Sequence, residues 1–142
     1  MRALTVLQPW ASLIIIGAKP YEFRVWPLRV VAGERWAVHA GAKVPSRAEL
    51  ARIVTALYRG ETDGMDPDIA LPLLEQALDG VAVLPLGAVL GTVLGGQPVP
   101  ASSLFDGVDP EVWANPVSAP IPLPQPVPAK GKQGWWRWEA AP

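Results

Sequence analysis

The sequence predicts a small α+β domain, a mixed or antiparallel β-barrel with helices packed around it. Short segments that alternate apolar and polar residues are typical of half-buried strands, and apolar residues at helical spacing lie between them. A strand-like stretch near the middle of the chain contains Gly87, Gly91, Gly95 and Gly96, whose missing side chains suit the bends or bulges of a barrel. The length of 142 residues indicates a single domain, residues 1–142, with one core.

The N-terminal part predicts two strands around a short helix. Residues 4–7 have strand character, and Pro9 starts a helix over residues 10–16 because its fixed φ and missing donor suit a first helical turn. Gly17 is the expected C-terminal cap. The next strand, near residues 21–26, has two faces because side chains alternate along a strand. The side chains expected to face the core are Tyr21, Phe23 and Val25, and those expected on a functional face are Glu22, Arg24 and Trp26.

Four further elements follow in the chain. They are a strand over residues 35–40, helices over residues 46–59 and 69–78, and a strand over residues 86–99. The first of these helices opens with the capping box Ser46-x-x-Glu49, and the second ends at Gly80. We expect the two helices to form a helical, acidic insertion around residues 46–80, at the periphery of the domain.

Residues 120–128 carry proline at every second position. Because proline has no amide donor, this pattern predicts an edge strand with its proline side outward, or a polyproline II segment. The alternative is a ligand for proline-reading domains, which would make the segment a site for a protein partner.

The charged residues divide into three blocks. Residues 1–60 contain nine Lys or Arg and three acids, residues 61–111 contain nine acids and no Lys or Arg, and residues 112–142 contain three basic residues and one acid. If the two basic blocks meet in the fold, they form a positive face that attracts a polyanion, although the net charge is only -1. The alternative is three unrelated surfaces. The cations expected to line one concave surface are Lys19, Arg24, Lys130 and Lys132.

Composition excludes several kinds of site. The chain has no Cys, which removes disulfides, thiolate nucleophiles and Cys-based zinc sites, and its single His argues against a His-rich metal site. We therefore expect no metal and no cofactor. The N-terminal segment is unlike a signal peptide, and the longest apolar stretch, residues 11–16, is far too short to cross a bilayer. These features predict a cytoplasmic protein with no membrane partner.

Five short motifs follow one another from near the N-terminus to near the C-terminus. They are Gln8-Pro9-Trp10-Ala11, Gly17-x-Lys19-x-x-Glu22-x-Arg24-x-Trp26, Val38-His39-Ala40, Leu84-Pro85-x-Gly87-Ala88 and Lys130-Gly131-Lys132-Gln133-Gly134-Trp135. In this order they resemble the ASCH (activating signal cointegrator homology) domain family, whereas residues 46–78 match only in general character. The resemblance implies a PUA-like β-barrel and a role in RNA binding.

The residue types of these motifs suit single-stranded RNA or a nucleotide, possibly a modified one. Unpaired bases stack on aromatic rings and hydrogen-bond along their edges, while Lys and Arg hold the phosphates. The candidate binding residues are Gln8, Trp10, Lys19, Glu22, Arg24, Trp26, His39, Lys130, Lys132 and Trp135. We expect them to line one basic cleft with aromatic walls. For the tryptophans at 36, 113, 136 and 138, packing is the preferred interpretation.

An enzyme is the alternative to an RNA reader. Some proteins of the ASCH type hydrolyse acetylated cytidine with a lysine, a nucleophilic threonine and a glutamate, and the resemblance places Lys19 on that lysine but Glu22 at the threonine position. A carboxylate there cannot supply the activated hydroxyl. Other members are proposed ribonucleases, so the candidate catalytic residues of a metal-independent hydrolase are Lys19, Glu22 and His39. A structural role for His39 is the competing interpretation.

Overall fold

Seven β-strands and three α-helices are formed by residues 1–31 and 33–139, which are the residues that the computed structural model describes. The strands are β1 (Arg2–Val6), β2 (Tyr21–Arg24), β3 (Arg35–Ala40), β4 (Ala88–Gly95), β5 (Val99–Pro100), β6 (Trp113–Pro128) and β7 (Trp136–Arg137). The helices are α1 (Trp10–Ile15), α2 (Arg47–Tyr58) and α3 (Pro67–Leu78). The α+β class is confirmed.

The strands form one mixed sheet that does not close. Its order is β2-β6-β4-β3-β1-β7, with β5 paired to β6. The β1–β3 pair is parallel and the other pairs are antiparallel. The predicted β-barrel is thus compatible with this sheet, which has a barrel-like course but is not closed, and the PUA-like assignment stays a prediction. The guanidinium of Arg24, at the end of β2, donates to the carbonyl of Thr5 in β1 at 2.6 Å, so a side chain connects strands that are far apart in the sheet order.

The bulges predicted around the glycine-rich strand are present in β4. Its register with β6 shifts between Val89 and Gly91. A Cβ atom at Gly91 would lie 2.9 Å from the Cα atom of Pro122 and would also meet the Ile121 carbonyl. The two backbones approach so closely here that only glycine fits.

The proline-rich segment is a strand. Residues 117–128 of β6 pair with β4, while β2 and β5 pair with residues 113–116. The edge-strand interpretation is thus confirmed for residues 120–128, whose prolines are largely exposed. Because this segment is paired into the sheet, it is not free to act as a polyproline II ligand, which argues against the predicted protein partner.

The three helices build two further layers on the sheet. One apolar cluster lies between the sheet and α1 and includes Leu4, Ile14 and Trp36. A second cluster joins the other side of α1, through Leu13, to α2 and α3, for example at Leu74. Helix α1 is therefore a middle layer, and the helical insertion is peripheral to the sheet but packed on α1.

Helix ends agree with the sequence prediction except at α3. The capping box is present: the Ser46 hydroxyl accepts from the Glu49 amide at 3.0 Å, and the Glu49 carboxylate accepts from the Ser46 amide at 3.3 Å. Gly17 follows α1 with a φ of +85°. Helix α3 begins at Pro67 rather than at residue 69, because Asp66 caps it and proline suits the first helical turn.

The predicted faces of β2 are only partly correct. Tyr21 and Phe23 pack with Phe105, their ring centroids lying 5.9 and 6.0 Å from that of Phe105. Val25, however, is 73% exposed, since β2 ends before it. Glu22, expected on the functional face, is only 6% exposed, whereas Arg24 on the same face is half-buried.

The packing interpretation is confirmed for three of the four tryptophans. Trp36, Trp136 and Trp138 are buried, whereas Trp113 is half-buried.

Within residues 1–31 and 33–139, none of the helices has the length and apolar character needed to cross a membrane.

Candidate ligand-binding cavity

A cavity of about 280 Å³ opens beside the N-terminal end of α1, between β2 and the loop that precedes α3. Its lining combines two aromatic rings, a thioether and three ionisable groups. The lining residues are Trp10, Lys19, Glu22, Phe23, Asp63 and Met65. Because the cavity collects residues from three separate parts of the chain, only the tertiary fold creates it.

Lys19 is the most constrained of these groups. It is 5% exposed, and its ammonium donates to the backbone carbonyl of Tyr21. The same Nζ atom lies 3.9 Å from the Glu22 carboxylate and 4.6 and 5.6 Å from the ring centroids of Phe23 and Trp10. Its surroundings are thus one carboxylate, one carbonyl and two aromatic faces.

Burial lowers the pKa of Lys19 to about 8. The carboxylates of Glu22 and Asp63 oppose this shift, and the guanidinium of Arg24 adds to it. A substantial fraction of the amine is therefore neutral at mildly alkaline pH, so Lys19 can act as a proton acceptor as well as a hydrogen-bond donor.

Glu22 belongs to a hydrogen-bonded network that reaches β1. Its Oε2 atom accepts from Nε of Arg24 at 3.0 Å, and Arg24 in turn donates to the Thr5 carbonyl. The backbone carbonyl of Glu22 accepts from the Asn115 amide at 3.0 Å, and the Asn115 Oδ1 atom accepts from the Leu28 amide at 2.6 Å. Lys19 and Arg24 pair with the Glu22 carboxylate, which explains how this side chain is tolerated inside the protein, and the side-chain amide of Asn115 holds its backbone.

The cavity is aromatic but it is not basic. One amine, Lys19, faces two carboxylates, Glu22 and Asp63. The expected basic cleft is therefore wrong for this cavity. The acidic middle block contributes Asp63 because the backbone amide of Asp66 donates to the carbonyl of Ala18 at 2.9 Å, which brings that loop against the segment after α1.

The predicted lysines near the C-terminus, Lys130 and Lys132, line a different cavity. This cavity, of about 350 Å³, lies beside the ends of β1 and β3. Its lining residues are Thr5, His39, Gly41, Ala42, Gly87, Ala129, Lys130, Gly131, Lys132 and Gln133. The prediction that the N-terminal and C-terminal lysines share one concave surface is thus corrected. Lys19 lines the cavity beside α1, whereas Lys130 and Lys132 line this separate cavity beside β1 and β3.

His39 is 2% exposed and hydrogen-bonded at both ring nitrogens. Its Nε2 atom lies 2.7 Å from the Ala129 carbonyl, and because a carbonyl can only accept, Nε2 is the donor. The Nδ1 atom then accepts from the Thr5 hydroxyl at 3.0 Å. His39 lines this cavity whereas Lys19 and Glu22 line the first one, so the predicted catalytic residues Lys19, Glu22 and His39 do not share one cavity.

Three remaining candidates are engaged in packing or in internal hydrogen bonds. The Gln8 amide donates to Ser12 Oγ and to the Pro85 carbonyl, both at 2.8 Å. Trp26 packs on the main apolar cluster, with the Arg24 guanidinium 5.9 Å from its ring centroid. Trp135 packs edge-on against Trp36 at 5.5 Å and carries the Arg2 guanidinium over its face at 4.2 Å. Of the three, none lines the Lys19 cavity.

Sequence reasoning missed three lining residues of this cavity and one residue that supports it. Strand alternation places Phe23 in the core, while Asp63 and Met65 lie in the block that matches the family motifs least. Asn115 is 1% exposed inside a proline-rich strand, and no local pattern distinguishes it. The role of Asn115 is visible only in the tertiary structure, since its hydrogen-bond partners are 87 and 93 residues away in the chain.

No protein-family model matches the chain, and no curated protein matches its sequence significantly. The ASCH resemblance therefore stays a prediction from the motifs.

No group of three or more His, Cys, Asp or Glu side chains placed to hold a metal ion occurs within the described residues.

Proposed function

We propose that the protein binds one unpaired nucleobase of RNA, or a free nucleoside, in the cavity between Trp10 and Phe23. The observation that supports this most is the combination of two aromatic side chains with a buried amine and two carboxylates in one small cavity. Aromatic rings stack on any base, and Lys19 can donate to a base carbonyl oxygen. The carboxylates of Glu22 and Asp63 can accept from amino or imino groups of the base.

The size and charge of the cavity favour a base over a phosphate. Its volume of about 280 Å³ lies just below the range of ligand pockets, which is roughly 300 to 1,000 Å³. Two carboxylates beside a single amine would repel a phosphate group. The base would therefore enter the cavity while the sugar and phosphate stay outside.

The Phe23→Leu variant tests stacking. It keeps an apolar side chain of similar size but removes the aromatic face, so the affinity for a nucleoside and for single-stranded RNA should fall by about 1–3 kcal/mol. Calorimetric titration with the four ribonucleosides and with a mixed-sequence single strand measures this. The matched control is Phe105→Leu, because Phe105 contacts Phe23 but does not line the cavity. Equal effects of the two substitutions, or no binding by the wild-type protein, would contradict the proposal.

A second candidate function is metal-independent hydrolysis of RNA or of a modified nucleoside such as acetylated cytidine. The observation that favours it is a lysine with a pKa of about 8 placed 3.9 Å from a buried carboxylate. Such a lysine can accept a proton at mildly alkaline pH, and its ammonium can stabilise negative charge that develops on a substrate oxygen.

The Lys19→Ala and Glu22→Gln variants separate the two functions. If the protein is a hydrolase, Lys19→Ala should lower turnover by about a hundredfold or more, because stabilisation of developing charge is a large catalytic term. Glu22→Gln should then retain binding and lose turnover, since an amide cannot accept the proton. Product analysis by chromatography with metal-free protein measures both. Absence of turnover by the wild type, together with measurable binding, would assign the cavity to recognition alone.

A further inference from the structure

Trp10 lines both the Lys19 cavity and a second cavity. The second cavity, of about 280 Å³, lies between the segment before α1 and the first turns of α2. Its lining residues are Leu7, Gln8, Pro9, Trp10, Lys43, Glu49, Arg52 and Ile53. A strand whose base stacks in the Lys19 cavity would have this second cavity as its neighbour.

The second cavity has an excess of positive charge. Lys43 and Arg52 face one carboxylate, Glu49, which accepts from the Ser46 amide in the capping box. Lys43 is exposed, and its Nζ atom lies 3.8 Å from Glu49. Arg52 is exposed and makes no side-chain hydrogen bond or ion pair with any described residue. Lys43, whose exposed ion pair is weak, and Arg52 are therefore both available to a phosphate.

The second cavity adjoins the one lined by Lys130 and Lys132. Lys43 lines the former and its chain neighbour Ala42 lines the latter. Gly41 also joins them, since a Cβ atom there would lie 3.1 Å from Cδ2 of Leu7. The three cavities therefore follow one another along the surface, with Trp10 at the first junction and residues 41–43 at the second.

The backbone of the loop that carries Lys130 and Lys132 is held by His39 and Thr5. His39 donates to the Ala129 carbonyl, and Gly131 lies so close that a Cβ atom would sit 2.7 Å from the His39 ring and would overlap Thr5. Both lysines are exposed, and the lining of their cavity contains no carboxylate. A buried histidine thus positions two lysines that have no acidic neighbour in that cavity.

We propose that a single-stranded RNA, its base held in the Lys19 cavity, continues across Trp10 with its phosphates on a basic track. The basic track consists of Lys43, Arg52, Lys130 and Lys132. This inference rests on the proposed base-binding function and adds the path of the strand. The base enters the acidic, aromatic cavity, and the phosphates pass over the adjoining cations. The positive face predicted from the charge blocks would then lie beside the base-binding cavity.

The test uses two double variants. One combines Lys43→Gln and Arg52→Gln, and the other combines Lys130→Gln and Lys132→Gln. The probe is a mixed-sequence nine-nucleotide single-stranded RNA, titrated at several salt concentrations, with the free ribonucleosides in parallel. The slope of log affinity against log salt is negative, and each lost phosphate contact should make it shallower by about 0.7, so each pair should make it shallower by about 1.4. Nucleoside affinity should not change, since a nucleoside has no phosphate. Arg59→Gln is the matched control, because Arg59 is an exposed cation at the end of α2 outside the three cavities.

Two results would overturn the track. Paired variants with the same salt slope as Arg59→Gln would do so, even if nucleosides still bound in the Lys19 cavity. Equal competition by polyglutamate, which carries charge but no bases, would assign these cations to an acidic polypeptide. Failure of the base-binding function is seen separately, as nucleoside affinity that does not respond to Phe23→Leu.

Discussion

The Asn115→Leu variant is expected to lose about 3 kcal/mol of its free energy of unfolding. Asn115 is 1% exposed and satisfies two buried backbone groups, the amide of Leu28 and the carbonyl of Glu22. Leucine has a similar volume but no polar atoms, so both backbone groups would be left without a partner, at a cost of about 1–3 kcal/mol each. Urea unfolding followed by circular dichroism measures the change.

Gln125→Leu is the matched control for this result. Gln125 is an exposed amide on the same strand, so its replacement should change stability by no more than about 0.5 kcal/mol. Similar small effects at both positions would mean that the Asn115 hydrogen bonds contribute little. Since Asn115 also holds the backbone of Glu22, the variant should weaken nucleoside binding as well.

The wild-type protein is expected to gain about 3 kcal/mol of stability relative to Lys19→Met as the pH rises from 7 to 10.5. The pKa of Lys19 is about 8 in the folded protein, against 10.5 for an ordinary lysine. Between these values the unfolded chain holds a proton that the folded chain has released, so stability increases with pH. Below pH 8 the folded state bears the full cost of a buried ammonium, at about 1.4 kcal/mol for each pKa unit.

The measurement is a series of urea unfolding curves for both proteins across this pH range. Taking the difference between the two proteins cancels the titration of all shared groups. Lys43→Met is the control, because Lys43 is an exposed lysine and its replacement removes no buried amine. Parallel curves for wild type and Lys19→Met would show that the Lys19 amine is not desolvated.

Local chemistry in the sequence was sufficient for most of the elements. Strand β3 occupies the predicted residues 35–40, and Ser46 and Glu49 form the predicted cap of α2. These predictions succeed because caps and alternation depend on residues a few positions apart. For the same reason the sequence identified Lys19 and Glu22, which lie within one short motif and line one cavity.

The composition of the site was decided by tertiary structure. Asp63 and Met65 reach the cavity only because α2 and α3 pack on α1, and Asn115 reaches Glu22 only because β6 pairs with β2. The same packing places Lys130 and Lys132 beside His39 and away from Lys19. Periodicity says which side of an element is buried, but it does not say which element covers it. The sequence by itself therefore determined where chemistry-bearing residues occur, and the packing of layers decided which of them share a cavity.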